Sequence, residues 1–387
     1  MLKVSIGHSE ELDSGDAIDE VLRQCHETLR ELQPNAGLLF TGIDHNFELI
    51  LNKIYEAYPE LELIGCTTDG ELSSLNGFAE DSIVLTLFYS DELRFKAGVA
   101  DRVSEDPLTN IKNAIETAQS SLEHEPVLCI TTPSTFNINF DVVIDGLQQV
   151  LGDTFPIFGG LAGDQWRFQG TYQFYRNNLF TDAAPFLIIA GPLLFSFGVE
   201  SGWIPIGKKG IVTQAGERVI YKIGDQSALD YYKYYLGDDI GTENMLPVGD
   251  YPLAVFEDNE SFYLRAVPSF DKVKGSLTVG TNIPEGVSVQ ITHTTRDKII
   301  EAAKMSVNSA KTNYPGSNPL IAICFTCAAR KQVLGTRIVE EYEVLKNNFP
   351  DLPVTGFYTY GEIGPLKRSK PSRLHQETFL SLLLGLE

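Results

Sequence analysis

The sequence predicts a mixed α/β protein of two related domains, with mixed β-sheets flanked by helices. Three observations carry that expectation. A strand–helix–strand unit closing on a glycine-rich turn recurs three times along the chain. Its apolar runs are short and apolar on both sides, as buried parallel neighbours crossed over by a helix are. After each turn the pattern changes to longer, hairpin-like strands, which argues against a purely doubly wound sheet.

The first copy opens with Ala36 to Phe40 (AGLLF) and continues through the amphipathic stretch Phe47 to Ala57. Leu61 to Ile64 then leads into GCTTDGE at Gly65 to Glu71. The second has Val127 to Ile130 as strand and Phe140 to Leu151 as helix; Phe155 to Phe158 enters GGLAGD at Gly159 to Asp164. The third runs from Leu320 to Phe325, through a helix around Gly335 to Phe349, to PVTGFYTYGE ending at Glu362. Between the copies, Ser82 to Tyr89 and Leu93 to Val99 flank Ser90 and Asp91 and read as a hairpin. Pro185 to Val199 reads as two buried strands joined at Gly191 and Pro192, and Leu253 to Val255 with Ser261 to Val267 as another hairpin around FEDNE. Pro107 to Leu122, Ser227 to Leu236 and Arg296 to Thr312 have helical period. The domain boundary is expected in the Gly- and Lys-rich stretch Ile206 to Arg218, giving domains 1–215 and 216–387.

A chain of 387 residues is long enough for two sizeable cores. With 52 Asp plus Glu against 30 Lys plus Arg, the formal net charge is −22. Such a surface repels phosphate backbones and anionic lipid, which argues against nucleic acid and membrane as partners. The N-terminus turns acidic without an apolar stretch, and the longest apolar run is too short to span a bilayer. Five cysteines, an odd number, fit a reducing compartment, so a soluble cytoplasmic protein is expected.

The glycine turns are the strongest local feature. Glycine lets the backbone swing sharply and presents N–H groups to a ligand. The acids beside them, Asp69, Glu71, Asp164 and Glu362, suit a ligand amine or cation, or equally cap the elements that follow. There is no GxxxxGK[ST], and GGLAG has the wrong spacing for a dinucleotide fingerprint. Cys324 and Cys327 form CxxC where a strand meets a helix, a placement for redox chemistry or for buried structural thiols. Arg330 is placed to hold a carboxylate, or to pair with an acid of the protein. Among six histidines there is no HExxH; His26 and His124 fall in charged helical segments, and His293 follows an apolar alternating strand that could aim it into a pocket. Tyr231, Tyr232, Tyr234 and Tyr235 are read as core and interface residues. No nucleophile elbow is present.

At LELIGCTTDGEL (61–72), the FGGLAGD turn, SALDYYKYYLG (227–237), CAAR (327–330), GFYTYGEIGP (356–365) and LHQET (374–378), the chain resembles the FIST family of sensory proteins. The resemblance covers nearly the whole chain in the right order. It implies a ligand-sensing input rather than an enzyme, with amino acids as proposed ligands of many members. A stand-alone subset binds b-type haem, senses nitric oxide and acts through a partner histidine kinase on biofilm formation. That haem form is the favoured expectation, with output through a kinase or other signalling protein in trans and a homodimer left open. The alternatives are an amino-acid sensor without haem, using Arg330 and a turn acid, and a thiol-redox enzyme using CxxC. Mapping the motifs points to Gly65, Cys66, Thr67, Asp69 and Glu71 in one turn and to Arg330, Tyr358, Tyr360, Gly361 and Glu362 in the other domain. No haem ligand carries over by motif; His293 is favoured for its apolar strand, and His375 of LHQET is second.

Overall fold

In the computed structural model, which describes residues 1–136, 138, 140–238, 251–258 and 261–386, one unit of strands and helices is built three times. The first unit is β1 (Leu2–Ser9), α1 (Ser14–Leu29), β2 (Ala36–Thr41), α2 (Phe47–Ala57), β3 (Glu62–Thr67), the hairpin β4 (Glu71–Ser73) and β5 (Gly77–Ala79), then β6 (Ile83–Ser90). The second repeats that order as β7 (Arg94–Asp101), α3 (Pro107–Gln119), β8 (Pro126–Thr131), α4 (Phe140–Leu151) and β9 (Ile157–Gly160). Its hairpin is β10 (Gln173–Tyr175) and β11 (Asn178–Phe180), and it closes with β12 (Ala183–Ala190).

The third unit opens with β13 (Leu194–Glu200) and is then interrupted by an inserted sheet. The insert comprises β14 (Ile204–Pro205), β15 (Gly210–Gly216), β16 (Val219–Ile223), β17 (Gln226–Ser227), α5 (Ala228–Leu236) and β18 (Leu253–Phe256). It ends with β19 (Phe262–Arg265), β20 (Ser269–Asp271), β21 (Ser276–Thr278) and β22 (Ser288–His293). The unit resumes with α6 (Arg296–Thr312), β23 (Ile321–Cys327), α7 (Ala328–Leu334), α8 (Val339–Asn348) and β24 (Val354–Thr359). Hairpin β25 (Glu362–Pro365) and β26 (Ser372–His375) and strand β27 (Phe379–Gly385) complete it.

Each unit lends its hairpin to another. The sheets run β1-β6-β2-β3-β10-β11, β7-β12-β8-β9-β25-β26 and β13-β27-β23-β24-β4-β5. The hairpin after each glycine turn therefore leaves its own sheet and extends the sheet of another unit, in cyclic order. In each sheet the two strands of the sequence repeat are parallel, with Leu39 opposite Gly65, Thr131 opposite Gly159 and Cys324 opposite Gly356. A Cβ on any of these glycines would fall 1.8–2.0 Å from the carbonyl oxygen of its partner, so only glycine fits.

Strand alternation explains why these strands are apolar on both sides. Leu38, Phe40, Leu128, Ile130, Ile323 and Phe325 belong to a central core shared by the three sheets. Leu39, Cys129 and Cys324 point the other way, under the helix pairs α1/α2, α3/α4 and α6/α8.

The mixed α/β class with strand–helix–strand–Gly-turn repeats is as read from the sequence. The hairpin expected at Ser90–Asp91 is not one, whereas β12 and β13 are two strands joined by a turn at Gly191–Pro192, as expected. β6 pairs with β1 and β2 while β7 pairs with β12, and β12 and β13 also lie in different sheets. A tight turn reverses the chain without choosing its partner, so these turns carry it from one unit to the next. β18 and β19 do pair as expected, though part of their connection lies outside the described residues. Position 215/216 lies inside β15, within its pairing with β16, and the hairpin exchange ties the two sequence halves into shared sheets. His124 lies beyond the end of α3, exposed.

Candidate ligand site at the junction of the glycine turns

The hairpin exchange brings the three glycine turns together. The Asp69 N–H donates to the Tyr358 carbonyl at 2.9 Å, and the Tyr358 N–H to the Gly70 carbonyl at 2.8 Å. The Gly163 N–H donates to the Thr67 carbonyl at 2.8 Å, and the Leu161 N–H to the Gly361 carbonyl at 2.9 Å. Each turn is thus tied to both others. Gly163 packs so closely that a Cβ would meet the Asp69 nitrogen at 2.8 Å.

Glu71 and Glu362 occupy equivalent places, opposite Phe357 and Gly160, and Gln173 takes that place in the second unit, opposite Cys66. Both acids are fully buried inside the sheets. Glu71 accepts from the Thr68 hydroxyl and from Ser82 N–H and Oγ at 3.1 and 2.7 Å, while Glu362 Oε2 accepts from Thr378 N–H and Oγ1 at 3.0 and 2.7 Å. Burial outweighs these bonds and pushes Glu71 up to about 7 and Glu362 up to about 8.

Asp164 shapes the wall of the site. Its Oδ1 accepts from Phe168 N–H at 3.1 Å and Tyr360 OH at 2.7 Å, and its Oδ2 from Gln169 and Gly170 N–H at 2.7 and 3.2 Å. Those bonds hold Gln165, Trp166 and Phe168 at φ of 56°, 61° and 51°. Left-handed backbone costs a non-glycine residue about 1–2 kcal/mol, and such strain collects at functional loops. Trp166, Phe168 and Tyr360 pack as an aromatic cluster with centroids 5.5–5.6 Å apart.

A cleft of about 530 Å³ opens over this junction, between Phe78, Glu80 and Asp81 on one side, Gln165 and Trp166 on another, and Lys331 and Ile338 on the third. Lys331 Nζ donates to the Asp69 carbonyl at 2.6 Å and lies 2.7 Å from Asp69 Oδ2 and 2.8 Å from Glu80 Oε1. Asp69 is fully buried, and neither carboxylate oxygen has a hydrogen bond of good geometry. Burial pushes its carboxyl up to about 6, opposed by Lys331 and the Trp166 indole. The arrangement offers the cations Lys331 and Arg167, several acids and apolar walls, which suits a small ligand bearing both charges.

The chain matches the FIST N domain over residues 35–226 and the FIST C domain over residues 228–365. It belongs to the FIST family. It is 26% identical over 309 residues to the uncharacterized protein MJ1623 of Methanocaldococcus jannaschii, an alignment spanning 74% of this chain and 58% of that protein. Among solved structures, cyanuric acid hydrolase from A. caulinodans aligns at 6% identity over 100% of this chain and 99% of its own, with a TM-score of 0.39. PurLQS from Thermotoga maritima aligns at 11% identity over 100% of this chain and 72% of its own, with a TM-score of 0.24. No helix among the described residues is long and apolar enough to cross a membrane.

Of the FIST-motif residues, Asp69, Tyr360 and Gly361 lie at the junction. Gly65, Cys66 and Thr67 build the strand beneath it, with Thr67 Oγ1 accepting from Tyr172 N–H at 3.1 Å. Arg330 does not reach the cleft. It is fully buried and donates to Glu341 Oε1 from Nε and Nη2 at 2.9 and 2.6 Å, and to the Ile299 and Ser201 carbonyls. Tyr358 OH closes the same network on Glu341 Oε2 at 2.6 Å. Every donor face of Arg330 is used, so it cannot receive a ligand carboxylate; the cation over Asp69 is its neighbour Lys331. Cys324 and Cys327 are buried, and burial raises both thiols well above their ordinary range.

His293 does not point into a pocket. Alternation would place it with Val289 and Ile291 on the core side, but β22 ends there and the ring is exposed, stacked 6.1 Å from Tyr251. His375 is buried on β26 with Nε2 bound to the Gly364 carbonyl at 2.9 Å, and burial lowers it to about 3. A haem iron needs an imidazole nitrogen facing an apolar cavity. His375 also lies in the wall of a cavity of about 620 Å³, but its Nε2 is taken by the Gly364 carbonyl. Both ring nitrogens of His8 are bound to Ser73 and Ser82, and those of His45 to Ser14 and the Asp81 carbonyl. His26 and His124 are exposed. A haem iron would have to displace a protein partner from His8 or His45, or use the ring nitrogen of His375 that makes no hydrogen bond.

Lys331, Trp166, Glu80 and Asp81 escaped the sequence analysis. The available signals were a lysine directly after CAAR and one of only two tryptophans two residues past an acid-bearing glycine turn.

Proposed function

We propose that this FIST protein senses an amino acid in the cleft over the three glycine turns and signals without turnover. The observation that carries this reading is Lys331, held over the buried Asp69 where the glycine turns of all three units meet. The ligand carboxylate takes the place of the exposed Glu80 on Lys331. Its ammonium is held at the rim by Glu80 and Asp81, and its side chain rests on Phe78 and Ile338. A ligand that grips residues from all three units favours the conformer in which they are closest, which is the population shift a sensor needs. The acidic surface suits docking on a basic face of a signalling partner in trans, such as a histidine kinase, in the cytoplasm.

Thermal unfolding of the apo protein against each amino acid tests the reading. A ligand present at a hundredfold excess over its Kd stabilises by about 2.7 kcal/mol. At least one amino acid should raise the midpoint saturably, and a flat response to all would remove it. The favoured haem–nitric oxide expectation is less well supported, because both ring nitrogens of His8 and His45 and the Nε2 of His375 are already engaged. A sharp Soret band at one haem per chain on reconstitution would restore it.

A further inference from the structure

The three hairpins lent between units provide an internal comparison. The β4–β5 connection is Ser74, Leu75 and Asn76, and the β10–β11 connection is Arg176 and Asn177. In β25–β26 the chain instead runs through LKRSKPSR (366–373), with Lys367, Arg368, Lys370 and Arg373 in one short stretch of a protein of net charge −22. The fold does not demand this basic loop, since two of its three copies close without one.

The loop forms a wall of a cavity of about 620 Å³ at the seam between the three-unit core and the inserted sheet. Across from it stand Phe262, Tyr263 and Leu264 of β19, and the end of β13 with Glu200. Arg373 lies 5.0 Å from the Tyr263 ring, pairs with Glu257 through Nη1, and leaves a buried Nε without a hydrogen-bond partner. Lys367 and Lys370 are exposed at the mouth, and among the described residues neither has an acidic partner. Asp258, the remaining acid, accepts from the Ser261 N–H at 2.6 Å. Two free cations, a guanidinium and an apolar wall line one space.

We propose that this cavity is a second ligand site, taking a small organic anion with an apolar body. Its carboxylate or phosphate is held by Lys367 and Lys370 beside the Arg373 guanidinium, and its body lies on Phe262 and Leu264. Bound at the seam, it fastens the inserted sheet to the core.

The test uses the full chain and the fluorescence of 8-anilinonaphthalene-1-sulfonate, an anion of that shape. One saturable site per chain is expected, emptied by decanoate or benzyl phosphate but not by decylamine; the better competitor identifies the head group. Arg373→Leu and the exposed pair Lys367→Gln/Lys370→Gln should each weaken binding at least about tenfold, the loss of a charged contact. Lys331→Ala should leave it unchanged, which separates this site from the cleft over the turns. Should Arg373→Leu fail to fold, the surface double variant decides. Absence of a saturable site, displacement by decylamine, or wild-type affinity in the double variant would overturn the proposal.

Discussion

Lys331 Nζ lies 2.7 Å from Asp69 Oδ2, joining α7 of the third unit to the glycine turn of the first. This contact spans most of the sequence and exists because the hairpin that follows Asp69 is built into the sheet of the third unit. Removing the lysine would leave a buried acid without its cation. Lys331→Ala should therefore cost about 3–5 kcal/mol at most, measured by urea unfolding, since Lys331 itself is partly exposed. Its cost should be greater at pH 8 than at pH 5, where Asp69 is protonated.

Arg330→Met should destabilise by about 3–5 kcal/mol, because Glu341 would remain buried and uncompensated. Replacing both partners together should recover much of that loss. A double-mutant cycle in urea checks it, and equal costs for the single and double variants would contradict the network.

Gly65→Ala, Gly159→Ala and Gly356→Ala should each cost more than about 3 kcal/mol or prevent folding, since the new Cβ would overlap a backbone carbonyl. Gly170→Ala meets nothing within 4 Å and should stay within about 0.5 kcal/mol of the parent. Calorimetric midpoints of the four variants make the comparison.

Stability should fall as pH rises from about 6.5 to 8. Glu71 and Glu362 hold protons in the folded state, at about 7 and about 8, that an unfolded glutamate has already released. Their protonated forms therefore favour the fold, and that contribution is lost as pH rises through those values. Below about 6.5 the neutral buried His8 and His375, lowered to about 4 and about 3, act in the opposite direction, so the alkaline limb is the clean window. Glu362→Gln should flatten it in unfolding curves across that range.

Asp164→Ala should release the strained loop, because Phe168, Gln169 and Gly170 N–H and Tyr360 OH lose their acceptor. A change in Trp166 fluorescence, read in a Trp203→Phe background, should accompany a loss of about 1–3 kcal/mol. An unchanged spectrum would mean that the loop holds itself.

The triple repeat was legible in the sequence because Gly65, Gly159 and Gly356 mark one steric requirement in three places. The exchange of hairpins was not, since Ser82 to Tyr89 alternates identically whichever strand it pairs with. β1 and α1 complete the first unit but lie outside the pattern that the glycine turns define. At the site, Asp69 and Tyr360 were legible from their turns. For Arg330 the sequence left two roles open, a ligand carboxylate or an acid of the protein, because a guanidinium after a buried strand looks the same in both; the structure pairs it with Glu341, eleven residues on. His293 misled for a related reason: alternation gives a side of the sheet, not where its cover ends.

The central claim is that an amino acid binds over the three turns through Lys331. Isothermal titration of wild-type protein and Lys331→Ala with the amino acid that gives the largest thermal shift tests it most directly. One site per chain in the wild type, weakened at least about tenfold in a variant that remains folded, is the predicted result. Equal affinity in the two proteins would contradict the account.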